Sequence, residues 1–453
     1  MSVSDLHVPS RPLRFVTAAS LFDGHDAAIN IIRRLLQRQG AEVVHLGHDR
    51  SVDEVVAAVV QEDADGVAVS SYQGGHNEYF RYLVERLRAE GRGDVRVYGG
   101  GGGVITAPEI AALEDYGVAR LFSPEDGQRL GLPLMVNTMI EDCDAAPRTA
   151  PTEDDWDRLG SWDAGALARV TTAAADGRLD REVAPPARPV PVLGVTGTGG
   201  SGKSSLTDEL LLRFRLDLED KLRIAVVAVD PSRSRGGGAL LGDRIRMNSL
   251  DSDQIRFRSL ATRRSATEVP DTLADVIAVA RAAGADLVMV ETPGIGQGDA
   301  ALVPLVDVSL YVMTPEYGAA TQLEKIDMLD FADAVAINKF ERRGGPDALH
   351  DVRRQLARSG EHLGSPLQEL PVFGTVASRF NDDGVTALYQ HLRALLGFPA
   401  GTLAPVETKV SSTHTAIVPP ARSRYLAEIA DAVRRYHGRT EELAGAARRR
   451  QQA

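Results

Sequence analysis

The 453-residue sequence contains one cysteine, Cys143, so no disulfide can close within the chain, and the scarcity fits a reducing cytosol. No apolar run approaches the roughly 20 residues that cross a bilayer. Residues 1–14 carry no apolar core of a signal peptide. Basic residues are in deficit, 51 Lys and Arg against 63 Asp and Glu, and a net charge of −12 argues against a general nucleic-acid binder. Lysine is missing from the first 190 residues; the first is Lys203. These absences set the expectation of a cytoplasmic protein with neither membrane nor nucleic acid as partner. What remains is ordinary: 43% hydrophobic and 25% charged residues, in a length that suits two or three domains.

The most informative stretch is V-L-G-V-T-G-T-G-G-S-G-K-S-S-L, residues 192–206. An apolar run predicts a buried strand, a glycine-rich turn follows, and a helix-forming run begins. The spacing G-x-x-x-x-G-K-S from Gly197 to Ser204 is that of a phosphate-binding loop. Gly199, Gly200, Ser201 and Gly202 can bring backbone N–H groups against phosphate oxygens, aided by the positive end of the new helix. Lys203 can reach the β- and γ-phosphates, the Ser204 hydroxyl can ligate Mg2+, and Ser205 adjoins them.

In the first 145 residues, apolar runs (13–17, 42–46, 66–70, 95–98, 120–122) alternate with amphipathic stretches (27–39, 52–61, 77–89, 108–115, 125–139). Such alternation predicts a doubly wound parallel sheet of flavodoxin type, with its ligand at the carboxyl ends of the strands. There the unusual residues fall. Asp23 and His25 lie two apart on one loop, and a metal-ligating imidazole usually gives its other N–H to a carboxylate. S-S-Y-Q-G-G-H follows the third strand from Ser70, and five glycines, 99–103, follow the fourth and strip side chains from one wall. A phospho-receiver domain shares this sheet but needs a lysine after the last strand, and none is present.

These three loops resemble the D-x-H-x-x-G, S-x-L, G-G signature of the base-off, His-on cobalamin domains of acyl-CoA mutases and methionine synthase. Ala28 and Tyr72 stand where that signature has Gly and Leu. The resemblance implies that His25 ligates cobalt, Asp23 orients His25, Ser70 contacts the dimethylbenzimidazole tail, and the glycines, Gly101 and Gly102 among them, line its slot.

Residues 146–190 read as a linker, with one or two short helices around Trp156 and Trp162, and residues 182–191 at its end hold four prolines. Residues 191–400 read as a nucleotide-binding domain. Asp230 ends an apolar strand, where an acid can reach Mg2+. The glycine-rich segment 232–248 reads as a mobile, switch-like loop in which Asp243 and Arg246 could contact metal and phosphate. E-T-P-G-I-G-Q, from Glu291, resembles the D-x-x-G switch of G proteins. That resemblance implies Glu291 and Thr292 at Mg2+ and Gln297 beside the attacking water. N-K-F-E, residues Asn338, Lys339, Phe340 and Glu341, resembles the guanine-reading N-K-x-D motif, and a carboxylate at 341 can accept from guanine N1–H and N2–H. Together with V-D-P-S and L-G-D-R-x-R-M, these motifs resemble the metallochaperone-type GTPases that serve cobalamin-dependent methylmalonyl-CoA mutase.

Residues 401–453 read as an extended strap and a helix that docks on a partner. The order of domains, and the wordings F-D-G-H-D-A-A-I and F-G-T-V-A-S-R-F-N-D-D-G, resemble the N-terminal half of the fused isobutyryl-CoA mutase family. The resemblance implies adenosylcobalamin and Mg2+ with GTP as cofactors, GTP hydrolysis gating cofactor loading, and isobutyryl-CoA/n-butyryl-CoA exchange. That exchange needs a substrate barrel, which the chain lacks; a barrel takes about 250 residues. The expected partners are GTP or GDP, that barrel on a longer chain or a separate subunit, and a second copy in a homodimer. The alternative is a free-standing cobalamin-linked GTPase chaperone or switch.

Overall fold

In the computed structural model of the chain, the residues described are 6–148, 150–233, 236–263, 265, 269–294, 299–318, 323, 326–358, 365–412 and 425–452. The front part comprises β1 (Arg14–Ser20), α1 (Asp26–Arg38), β2 (Glu42–Arg50), α2 (Val52–Glu62), β3 (Gly66–Ser70), α3 (His76–Ala89), β4 (Arg96–Gly100), α4 (Ala107–Tyr116), β5 (Arg120–Phe122), α5 (Pro124–Leu130) and α6 (Leu132–Ala145). The connector holds α7 (Glu153–Leu159) and α8 (Ala164–Ala175). The back part comprises β6 (Val192–Gly197), α9 (Lys203–Asp217), β7 (Ile224–Asp230), β8 (Ala239–Leu241), β9 (Ile255–Ala261), α10 (Leu273–Ala282), β10 (Leu287–Glu291), β11 (Val308–Met313), β12 (Ala334–Asn338), α11 (Gly345–Leu356), β13 (Val372–Thr375), α12 (Asp383–Leu395) and α13 (Tyr425–Gln452).

Two parallel sheets carry the molecule, ordered β5-β4-β3-β1-β2-β8 and β13-β12-β11-β6-β10-β7-β9. Central strands such as β1 are buried along their whole length, as strands covered by helices on both faces must be. The helices start where their sequences provide caps. Ser51 and Glu54 form a reciprocal capping box on α2, whose Val52, Val55, Val56 and Val59 then face the core. The stretch 125–139, expected as one helix, is two: Gly131 at φ +73° ends α5, and Pro133 sits in the first turn of α6.

The sixth strand of the first sheet comes from the back half of the sequence. β8 runs parallel to β2, with Glu42, Val43 and Val44 opposite Ala239, Leu240 and Leu241. Its glycines are there for close approach: a Cβ on Gly238 would meet the carbonyl oxygens of Gln37 and Ala41 at 2.1 and 2.7 Å. Segment 232–248 was expected as a mobile loop; its described residues are instead seated against α1 and β2.

The reverse contact is equally specific. β9 is the open edge of the second sheet, and α2 covers it. Gln61 Oε1 accepts the Phe257 N–H at 3.2 Å, and Glu62 accepts the Ser259 N–H at 3.1 Å and its hydroxyl at 2.8 Å. Arg14 donates to Glu62 at 3.0 Å and to Glu42 at 2.7 Å, while Arg263 donates to the other oxygen of Glu42 at 2.8 Å. Burial alone would raise the Glu42 carboxyl; Arg14 and Arg263 instead hold it at about 2. The connector packs into the same seam. Trp162 is buried and donates to the Asp253 carbonyl at 3.0 Å, which fixes the connector to the back half. Each half therefore covers a sheet edge that the other would leave open to pairing.

Glu62 is fully buried. Glu62→Ala strands the Ser259 amide and hydroxyl and part of Arg14, and is expected to cost about 3–5 kcal/mol of unfolding free energy in denaturant titration. A loss below about 1 kcal/mol, the level of an exposed pair, would show that this edge contact contributes little.

Candidate functional sites

The first site lies beyond the carboxyl ends of β1 and β3, where the strand order reverses and open α/β sheets take their ligands. β1 ends at Ser20, and the loop brings in Asp23, fully buried, and His25, whose side chain is 74% exposed. Asp23 Oδ1 contacts His25 Nδ1 at 2.8 Å and accepts the His25 N–H at 2.9 Å; Oδ2 accepts the Tyr72 N–H at 2.6 Å. Burial works against ionising Asp23, but the Tyr72 and His25 contacts outweigh it and keep its carboxyl below the usual range. With Nδ1 engaged, His25 offers Nε2 to the open side.

Beside it opens a mostly apolar cavity of about 380 Å3, lined by Ile29, Ile32, Tyr98, Phe122, Met135 and Met139, with Ser70 and glycines 99–102 on its rim and wall. Ser70 Oγ is buried and has no hydrogen-bond partner among the described residues. A slot for a flat apolar group, with one buried hydroxyl awaiting a partner, fits the nucleotide tail of a cobalamin. The glycines also serve the protein itself. A Cβ on Gly101 would meet the Ser71 carbonyl oxygen at 1.6 Å. Gly102 lies under the Tyr72 ring, which also stands 5.6 Å from the His25 ring.

The second site lies at the carboxyl end of β6, the central strand of the other sheet. Gly202, at φ +90°, turns the loop into α9. Lys203 Nζ reaches back to the carbonyls of Gly197 and Thr198 at 3.0 and 3.2 Å. Gly199, Gly200 and Ser205 are exposed around the loop, and Ser201 is buried. Ser204 Oγ lies 2.7 Å from Glu291 Oε1 and 3.0 Å from Asp243 Oδ1, so these three groups from three segments meet. Arg246 Nη1 donates to Asp243 at 2.9 Å, and Asp230 accepts the Gly242 N–H at 2.9 Å. Thr292 bonds through its hydroxyl to Thr196 at 2.8 Å. Gln297 lies outside the described residues.

At the far end of the loop, Asn338 Nδ2 donates to the Ser201 carbonyl at 2.8 Å and Lys339 Nζ to that of Gly200 at 2.7 Å. Asn338 Oδ1 accepts the Ala377 N–H at 3.1 Å, which ties the N-K-F-E segment to the loop after β13. The Phe340 ring packs over Gly374, and Glu341 is exposed.

Two residues that pattern reading passed over hold this site in shape. Thr207 donates to Glu291 at 2.9 Å. Asp208 accepts the N–H groups of Asn248 and Ser249, both at 2.9 Å, which pins the end of the 232–248 segment. Both lie one turn along α9 from Ser204, on its face, and the i, i+3 and i, i+4 spacing was the available signal.

Residues 169–402, over half of the chain, match the profile described as methylmalonyl Co-A mutase-associated GTPase MeaB. The chain belongs to the MeaB GTPase family. Ahead of that region, residues 13–123 match the B12 binding domain. The chain is 62% identical to a fused isobutyryl-CoA mutase of Nocardia farcinica, over 99% of this chain and 43% of that protein. It is 58% identical to the one from Cupriavidus metallidurans (98% and 42%) and 52% identical to that of Geobacillus kaustophilus (99% and 42%). The chain thus spans less than half the length of these relatives. The back half of this MeaB family member is a GTPase, and the front half is a cobalamin-binding fold.

Burial raises the Asp230 carboxyl to about 8 and that of Glu291 to about 7, with Asp243 adding to both. An acid raised on folding binds its proton more tightly in the folded state, so stability is lost as pH rises through the folded value. Protein stripped of divalent cations is therefore expected to lose Tm as pH goes from about 5 to about 8, with a shallower slope in Asp243→Asn. A flat or rising Tm in the wild type contradicts the arrangement.

Proposed function

We propose that this chain is the cofactor-handling and GTPase half of an adenosylcobalamin-dependent acyl-CoA mutase that interconverts isobutyryl-CoA and n-butyryl-CoA. The observation that carries the reading is identity of 46–62% to fused isobutyryl-CoA mutases across 98–99% of the chain. The remainder of such a protein would supply the acyl-CoA barrel, on the same polypeptide or as a subunit. α13, whose Ile429, Val433, Tyr436 and Leu443 are exposed, is the element that would lead to it or dock on it, or pair with a second copy.

In the front half, His25 Nε2 would hold the cobalt, with Asp23 fixing the ring's tautomer and direction. The apolar slot would take the cofactor's nucleotide tail, and the Ser70 hydroxyl would supply it a hydrogen bond. When bound, the cofactor supplies the homolytic Co–C chemistry that starts radical rearrangement. In the back half, the backbone amides of the phosphate loop and Lys203 would clasp the β- and γ-phosphates. Ser204 would ligate Mg2+, with Asp230, Asp243 and Glu291 holding the ion or its waters. Among the described residues no compact set of three such ligands closes on its own. Asn338 and Glu341 would read the guanine. Hydrolysis at this site would gate the loading of cobalamin.

Two assays test the reading. Adding adenosylcobalamin should shift the absorbance to the base-off, histidine-ligated form in the wild type and fail to do so in His25→Ala; an unchanged wild-type spectrum removes the cofactor assignment. Lys203→Ala should lower GTP turnover by about 100-fold or more. Glu341→Ala should narrow the preference for GTP over ATP, and a variant that keeps the full preference refutes that base contact.

A further inference from the structure

The cobalt-facing loop and the nucleotide-facing segment meet at the tip of β2. Three residues there take the left-handed backbone region: Phe22 at φ +62°, Gly47 at φ +85° and Asp49 at φ +57°. A phenylalanine in that region keeps it only where neighbours impose it. Here the Phe22 N–H donates to Asp49 Oδ1 at 2.7 Å, one residue before the aspartate that orients His25. The regular pairing of β2 with β1 slips at the same place, between Thr17 and Ser20.

On its other side the tip lies against the nucleotide segment. A Cβ on Gly47 would sit 2.8 Å from Cδ1 of Ile245, so Ile245 packs on bare backbone. Ile245 lies in the turn 244–246, directly after Asp243. Its two neighbours anchor that turn. Arg246 donates to Asp243, which touches the phosphate-loop serine; Arg244 is buried and donates to Gln61 of α2 at 3.2 Å. The turn is therefore fixed at both ends, and its middle residue presses on β2.

We propose that the tip of β2 couples the two sites. Asp49 is a positioning residue for the loop that carries Asp23 and His25, and Ile245 sets the lie of that tip according to how Asp243 is held at the nucleotide. The proposal rests on the cobalamin and GTP readings above and names the contact that joins them. The coupling is reciprocal: whatever factor nucleotide applies to cobalamin affinity, cobalamin applies to nucleotide affinity.

The test uses the full chain, titrated with adenosylcobalamin and followed by absorbance, without nucleotide, with GDP and Mg2+, and with a non-hydrolysable GTP analogue and Mg2+. Wild-type affinity is expected to differ by about 5-fold or more between nucleotide-free and analogue-bound protein. Ile245→Ala should bind cobalamin as the nucleotide-free wild type does but lose the dependence on nucleotide. Asp49→Ala should weaken cobalamin about 10-fold in every nucleotide state, the size of loss seen when a group orienting a metal ligand is removed. Its GTP turnover without cobalamin should be unchanged, and Asp49→Asn, whose amide oxygen can accept the same N–H, should restore affinity. Equal wild-type affinities in all three states, full nucleotide dependence in Ile245→Ala, or wild-type affinity in Asp49→Ala each overturn the coupling while leaving the cobalamin reading in place. A wild-type spectrum that never shifts takes the cobalamin reading down as well.

Discussion

Two parallel sheets in one chain have four edges, and at two of them, β2 and β9, the cover comes from the other half of the sequence. β8 hydrogen-bonds along β2, and the C-terminal turn of α2 accepts the N–H groups of β9. The contacts are made by backbone groups, by the half-buried Gln61 and by the fully buried Glu62, so neither half can shift without exposing unpaired donors, at a cost of the order of 1–3 kcal/mol for each buried group left unsatisfied. The buried charges of the seam, Arg14, Glu42 and Glu62, with the half-buried Arg263, have the same effect. Such groups are costly to bury unless each finds its partner, and here partners are supplied from both halves of the sequence.

The interlock decides where the two sites stand. Each occupies the carboxyl edge of its sheet, the position that parallel α/β sheets give to their ligands. β8, the back-half strand of the front sheet, is flanked in sequence by Asp230 and Asp243. Its partner β2 runs beside β1, the strand that leads to the Asp23–His25 loop. The GTPase and the cobalamin fold are thus parts of one packed body, through contacts of known identity.

The groupings that the structure brings together at each candidate site were legible where their members are close in sequence. The phosphate-loop glycines, lysine and serine fall within eight residues, and Asp23 and His25 lie two apart on one loop. The two sheets were legible for a similar reason, since buried parallel strands read as short apolar runs between amphipathic helices. β8 was not legible. Three residues carry too little pattern to declare a strand, and its partner lies about two hundred residues earlier in the chain. The glycines before it read as mobility, whereas Gly238 is required by the carbonyls of α1 and the turn after it. β9, whose Arg256 and Arg258 interrupt its apolar run, was missed because those charges are absorbed by the connector, as when Arg258 donates to Thr172 of α8 at 2.7 Å. The helix break at Gly131 was readable from Gly-Leu-Pro, but the apolar spacing across it favoured a single helix.

The claim that most of this depends on is that residues 239–241 are a strand of the front sheet and not part of a loose loop. Hydrogen exchange on the full chain measures it directly, since local opening sets the protection of each amide. The structure requires the amides of Ala239 and Leu241, which face β2, to be protected in the absence of any nucleotide. Exchange of these two amides at the rate of an open loop, with β2 still protected, would contradict it.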